Sequence, residues 1–188
     1  MLTIRRVLFP TDFSEAAARA FPQAAFLADW HDAELHIVNV TEGREESADA
    51  LPVEPETLSE WFRESGTDAG PDWDALPVVQ KQVSGEPAER LVSYVEDRDI
   101  DLVVMGTHGR RGVRRMLLGS VTEEVIRGAD CPVLTVRTDA PEAPRTAVRR
   151  ILVPVDFSEA SETAVLHGIE IAQTYGAEIH LLHVIEEV

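Results

Sequence analysis

Residues 101–137 read DLVVMGTHGRRGVRRMLLGSVTEEVIRGADCPVLTVR, and the order of elements in this stretch decides the fold. DLVVM is a short β-branched apolar run of the kind that becomes a buried parallel strand. Gly106, Gly109, Gly112 and Gly119 punctuate the segment after it. SVTEEVIRG then has helical character, with Ser120 and Glu123 spaced as a capping box and Gly128 as a stop. PVLTVR is strand-like again. Strand, glycine loop, helix and strand in succession specify a parallel α/β unit.

The chemistry of the stretch lies in its loop. Glycines leading into a helix start leave backbone N–H groups unpaired and let the backbone approach a ligand closely, which suits phosphate oxygens. Arg110, Arg111, Arg114 and Arg115 crowd into six residues of a chain whose formal net charge is −17. A polyphosphate would explain that local reversal of sign. A solvated basic loop, with Ser120 serving only as an N-cap, would explain it too.

Upstream, RRVLFPTDFSEAAARAF gives a strand over 5–9 that Pro10 ends. Asp12 and Ser14 then supply cap chemistry for an alanine-rich helix running to about Trp30, with Pro22 as a kink or a reset boundary inside it. Residues 34–40 are the next strand, completing a right-handed βαβ unit. Residues 41–75 are acidic and rich in proline and glycine. One helix-like piece, 55–65, carries Trp61 and Phe62, which read better as docking residues than as ligand contacts. A strand over 76–83 and an amphipathic helix over 86–98, with Leu91, Val92 and Val95 on one face, lead back to the opening stretch. The count for 1–137 is five strands alternating with four helices, a doubly wound parallel sheet with helices on both faces.

After a proline-containing linker at 138–148 the chain begins again. RRILVPVDFSEASETAV at 149–165 repeats the opening, and AEIHLLHV at 177–184 repeats AELHIVNV at 33–40. The offset is 144 residues throughout, and 16 of the 38 paired positions from Arg5 to Glu42 are identical. This internal duplication stops after strand, helix, strand and has no glycine loop. Residues 149–188 therefore read as an incomplete second repeat, and the chain as the front part of a tandem protein, or as one whose fragment packs on the first domain or a second chain.

The apolar fraction of 44% is that of a globular protein. The strong negative charge argues against nonspecific nucleic-acid binding and against anionic membranes. With Lys81 as the single lysine, the acidic surface suits high salt, although GC-rich codon usage would also favour arginine. Cys131 is the only cysteine, so no intramolecular disulfide can form, and its place beside Pro132 marks a small apolar residue. No apolar run approaches the roughly 20 residues of a membrane span and no signal peptide is visible, so a cytoplasmic location is expected.

Gly106-x2-Gly109-x9-Gly119-Ser120, directly after a strand, is similar to the nucleotide signature of the universal stress protein family, in its ATP-binding branch. The resemblance covers residues 1–137 in full and 149–188 as a partial repeat. It implies the adenine nucleotide alpha hydrolase-like sheet, of strand order 3-2-1-4-5. Strands 1 and 4 then flank the topological switch point where open α/β sheets bind ligands. PTDFS, with Pro10, Thr11 and Asp12, would face MGTHGRRG, with Met105, Gly106 and His108. Asp12 matches the residue that holds adenosine, against a capping role read from the residues alone. Asn39 falls where the strand 2 backbone meets the adenine edge. Gly106 would pass the ribose, and Gly109, Arg110, Gly119, Ser120 and Val121 would surround the phosphates. The implied ligand is ATP with magnesium, although no carboxylate pair marks a metal site and no metal-ligand residues are assigned. Family members of this branch dimerise through the last strand, here 132–137. The expected partners are therefore an adenine nucleotide and a second copy, as homodimer or domain-swapped oligomer.

The resulting expectation is a nucleotide-dependent regulatory protein. An efficient enzyme is not expected: no Walker lysine follows the glycine loop, and no general base stands beside it. The alternatives are slow ATP hydrolysis and an interaction module working through its duplicated domain.

Overall fold

The computed structural model describes residues 3–41, 57, 60, 75–107, 118–137 and 148–185. The chain divides into two compact units, Thr3–Pro144 and Arg145–Val188. In the first, β1 (Arg6–Pro10), β2 (Glu34–Thr41), β3 (Val78–Ser84), β4 (Leu102–Gly106) and β5 (Val133–Val136) form one parallel sheet of order β3-β2-β1-β4-β5. Three helices accompany it among the described residues: α1 (Glu15–Trp30), α2 (Pro87–Asp97) and α3 (Ser120–Gly128). The expected helix at 55–65 lies outside the described residues except for Thr57 and Glu60, which are helical; Trp61 and Phe62 fall outside them.

A parallel sheet covered on both faces needs unbroken apolar strands, and β1 shows why. Val7, Leu8 and Phe9 are all fully buried. Phe9 meets Phe21 of α1 edge to face, with ring centroids 5.3 Å apart. Leu8 joins Val38 and Val103 against Leu91, Tyr94 and Val95 of α2 and Val125 of α3. Each large apolar side chain buried this way contributes about 1.5–3 kcal/mol.

Helix α1 starts at Ser14, whose hydroxyl accepts the Ala17 N–H. Ala20, Ala24, Ala25 and Ala28 are buried, their small side chains letting the helix lie close to the sheet. Pro22 neither splits nor ends it: α1 is continuous, and Pro22 is buried inside it. Helix α2 begins with Pro87 in its first turn, where no N–H is needed. Below it, the Asp101 carboxylate accepts the backbone N–H groups of Arg5 (2.7 Å) and Arg6 (3.0 Å), tying the start of β1 to that of β4.

The second unit comprises β6 (Arg150–Pro154), α4 (Glu159–Tyr175) and β7 (Glu178–Leu182). Its two strands pair in parallel, Arg150 opposite Glu178 and Leu152 opposite His180. That is the register of β1 on β2, Arg6 opposite Glu34 and Leu8 opposite His36. Ser158 caps α4 as Ser14 caps α1, and Gly176, in the left-handed conformation (φ 65°), stops it. A Cβ on Gly168 would sit 2.7 Å from Val153 Cγ2, so only glycine lets α4 approach its strand this closely.

Candidate nucleotide site

The strand order places the ends of β1 and β4 side by side, with Leu8 opposite Val103. The turn after β1 is held from within. Thr11 is buried; its N–H donates to the Val38 carbonyl (2.8 Å), and its hydroxyl accepts the Phe13 N–H (3.0 Å). Asp12 Oδ1 accepts the Ser14 N–H (3.0 Å), so Asp12 builds the turn while Ser14 caps the helix. Pro10 ends the strand, half-buried. Phe13 stands between them at φ 59°, in the left-handed region that disfavours bulky side chains. Strain of this kind concentrates at functional sites.

Asn39 is 6% exposed. Its Nδ2 donates to the Thr11 carbonyl (2.8 Å), and its Oδ1 accepts Gln82 Nε2 (2.9 Å). The side chain is thus committed to bracing the β1 turn, and Gln82 is its support. Gln82 lies opposite Asn39 in the β2–β3 pairing. Polar residues near the ends of both strands were the available signal, but it needed that register.

Across the switch point, the Thr122 hydroxyl donates to the Gly106 carbonyl (3.1 Å) and the Gly119 N–H to the Thr107 carbonyl (2.7 Å). These bonds bring the start of α3 onto the end of β4. The helix cap differs from the expected capping box. Gly119, with extended backbone (φ −75°, ψ 156°), is the N-cap, and among the described residues no side chain caps the helix. The Gly119 bond to Thr107 fixes the chain direction one residue earlier than Ser120. Ser120 therefore opens the helix, exposed, and its hydroxyl is not a cap. Glu123 pairs instead with Arg127 (2.7 Å). Val121 packs against the core and Met105 is buried in it, so the Met105 side chain is committed to packing. His108, Gly109 and Arg110, with Arg111, Gly112, Arg114 and Arg115, lie outside the described residues.

Beneath the site, His36 is buried between Tyr94 and Glu34: Nδ1 accepts the Tyr94 hydroxyl (2.9 Å) when Nε2–H donates to Glu34 (2.7 Å). Burial holds its pKa below 6.5, outweighing the opposing pull of Glu34. Burial raises the Cys131 thiol, as befits a packing residue rather than a nucleophile. Among the described residues no cluster of His, Cys, Asp or Glu is placed to hold a metal ion, and no helix is long and apolar enough to cross a membrane.

The second unit repeats the turn without the glycine half. Asp156 Oδ1 accepts both the N–H (3.0 Å) and the hydroxyl (2.6 Å) of Ser158, which lower its pKa to about 2. His183 takes the place of Asn39, with Nδ1 on the Val155 carbonyl (2.7 Å). A crevice of about 470 Å³ lies between Asp156, Ser158 and His183.

The profile of the universal stress protein family matches residues 3–137 and again residues 147–188. The chain belongs to the universal stress protein family. It is 34% identical over 142 residues to a universal stress protein of Methanocaldococcus jannaschii, covering 71% of this chain and 82% of that one. A solved universal stress protein in complex with cAMP is similar at 26% identity and TM-score 0.53, over 73% of this chain and 99% of the other. A universal stress protein from Archaeoglobus fulgidus shares the fold over 97% of this chain and 66% of its own, at 21% identity and TM-score 0.66.

Proposed function

We infer that this universal stress protein binds an adenine nucleotide, ATP with magnesium, at the carboxyl ends of β1 and β4, and acts through nucleotide-dependent regulation rather than efficient turnover. The observation that carries the reading is the junction of β4 and α3. Thr122 and Gly119 hold the helix start against Gly106 and Thr107, and among the described residues α3 has no side-chain cap. A phosphate there meets helix N–H groups and the positive end of the helix dipole. Ser120, exposed at that start, adds a hydroxyl donor, with Val121 beside it, while Gly109 and Arg110 belong to the adjoining loop. Asp12 lies on the braced turn after β1, the strand beside β4, and suits a ribose hydroxyl. The cAMP complex of a relative supports an adenine nucleotide as the ligand class. Magnesium would supply charge neutralisation to the triphosphate, ligated by phosphate oxygens and water. β5 is the last strand of the sheet among the described residues, which fits pairing with the same strand of a second copy.

The test is nucleotide release on denaturation, followed by calorimetry of the stripped protein with ATP–magnesium, ADP and cAMP, alongside Gly119→Val. The backbone at Gly119 admits a side chain, so the variant should fold while a Cβ and two methyl groups crowd the phosphate position. Nucleotide at about one per chain, with ATP binding weakened at least tenfold in the variant, is the expected result. No heat with any of the three ligands would overturn the reading; a response to cAMP alone would replace the triphosphate.

A further inference from the structure

Helix α2 meets β2 through a buried polar contact that depends on where a proton sits. His36, in β2, is 3% exposed. Its Nε2 lies 2.7 Å from Glu34 Oε2, and its Nδ1 lies 2.9 Å from the hydroxyl of Tyr94 in α2. Beside the carboxylate, Nε2 of the neutral ring carries the hydrogen, so Nδ1 is an acceptor and the phenol donates to it. The two rings meet edge to face, with centroids 5.8 Å apart.

Protonation reverses the role of Nδ1. The imidazolium donates from both nitrogens, so the hydrogen of the Tyr94 hydroxyl has to turn away. Tyr94 is 7% exposed, and among the described residues its hydroxyl has no second partner. The turned hydrogen would be buried without an acceptor, which costs more than a typical hydrogen bond gains. Burial opposes the charge most, Glu34 on the same strand favours it, and Arg6 of β1 and Arg98 of α2 oppose it. Within the sheet His36 stands between Leu8 of β1 and Val79 of β3, and Lys81 of β3 stands opposite Val38.

The end of α2 is the element placed to respond. Helix α2 stops at Asp97, and Asp99, in the left-handed conformation (φ 46°), turns the chain towards β4. The N–H groups of Arg98 and Ile100 donate to the carbonyls of Tyr94 (3.1 Å) and Val95 (3.0 Å). Arg6 Nη1 also holds this end, donating to the Arg98 carbonyl (2.7 Å), but that bond is exposed and competes with water.

We propose that His36 and Tyr94 form an acid-operated latch: protonation of His36 displaces the Tyr94 hydroxyl and frees the last turn of α2, residues 94–100, while the sheet stays closed. In the open form His36 takes up its proton near the ordinary 6.5, in the closed form only below that value. Opening is therefore favoured as pH falls through 6.5. The helix that loosens is also the seat of α3: a Cβ on Gly128 would come 3.0 Å from Val92 Cγ2 of α2.

Hydrogen exchange of the full chain, followed by NMR as protection factors between about pH 7 and about pH 5, tests the latch. Protection of the Arg98 and Ile100 amides should fall at least tenfold more than that of the Thr11 amide, which bonds the Val38 carbonyl within the sheet. His36→Gln keeps an acceptor for Tyr94 and a donor for Glu34 but takes up no proton, so the excess fall should vanish. Tyr94→Phe should show low protection at both ends of the range and no excess fall. No excess fall in the parent, the same excess fall in His36→Gln, or its retention in Tyr94→Phe would overturn the proposal. If a variant does not fold, the parent alone decides. Its excess fall should follow the titration of the His36 ring signals, and a fall with a different midpoint refutes the latch.

Discussion

The brace behind the β1 turn gives a prediction with a definite size. Asn39→Ala removes a donor to the Thr11 carbonyl and an acceptor for Gln82, two buried or half-buried bonds each worth about 1 kcal/mol net. With the buried carbonyl left poorly satisfied, the variant should lose about 2–3 kcal/mol. Gln82→Ala removes one of those bonds and should cost about 1 kcal/mol. The double variant should fall short of the sum by about 1 kcal/mol, since the shared bond is lost only once. Asn39→Asp separates the two bonds: an ionised carboxylate still accepts from Gln82 but faces the Thr11 carbonyl with a second acceptor, so it should cost at least as much as alanine. Urea unfolding followed by tryptophan fluorescence reads these values, because Trp30, Trp61 and Trp73 all precede residue 138 and leave the second unit silent. Additivity of the two alanine substitutions within about 0.3 kcal/mol, or an Asn39→Asp protein as stable as the parent, would refute the brace.

Leu8→Ala opens a cavity in a sealed core and should cost about 3 kcal/mol. Its repeat counterpart Leu152→Ala, at 62% exposure, should shift the hydrogen-exchange stability of α4 by less than about 0.5 kcal/mol. Phe13→Gly relieves the left-handed strain at φ 59°, whereas Phe13→Val worsens it, and the two should differ by about 1–2 kcal/mol in urea unfolding. His36 has a lowered pKa, so the unfolded chain takes up the proton first. Its stabilising contribution is present above pH 6.5 and is lost as pH falls through that value. Melting temperature should drop from about pH 7 to about pH 5, less steeply in His36→Gln; burial lowers His31 as well, leaving part of the slope in the variant.

The sheet was legible because its strands are unbroken apolar runs, and because residues 5–42 and 149–186 read each other's boundaries. The switch point followed from the strand order that the family resemblance implies, and the sheet has that order, β3-β2-β1-β4-β5. What failed or stayed hidden depended on tertiary geometry. Ser120 has the residue type of a cap, but the bond from Gly119 to Thr107 moves the cap back by one, and that bond joins segments 12 residues apart. Gln82 became a site residue only through a register set across the intervening segment. Phe13 gave no warning at all, since its residue type argues against the conformation it adopts.

The bond from the Gly119 N–H to the Thr107 carbonyl closes residues 108–118 into a ring whose ends are fixed by the scaffold. Closure entropy grows only as the logarithm of length, so doubling such a ring costs about 0.6 kcal/mol. Insertions there would leave the sheet and both anchoring bonds in place. The segment can therefore change length with little loss of folding stability.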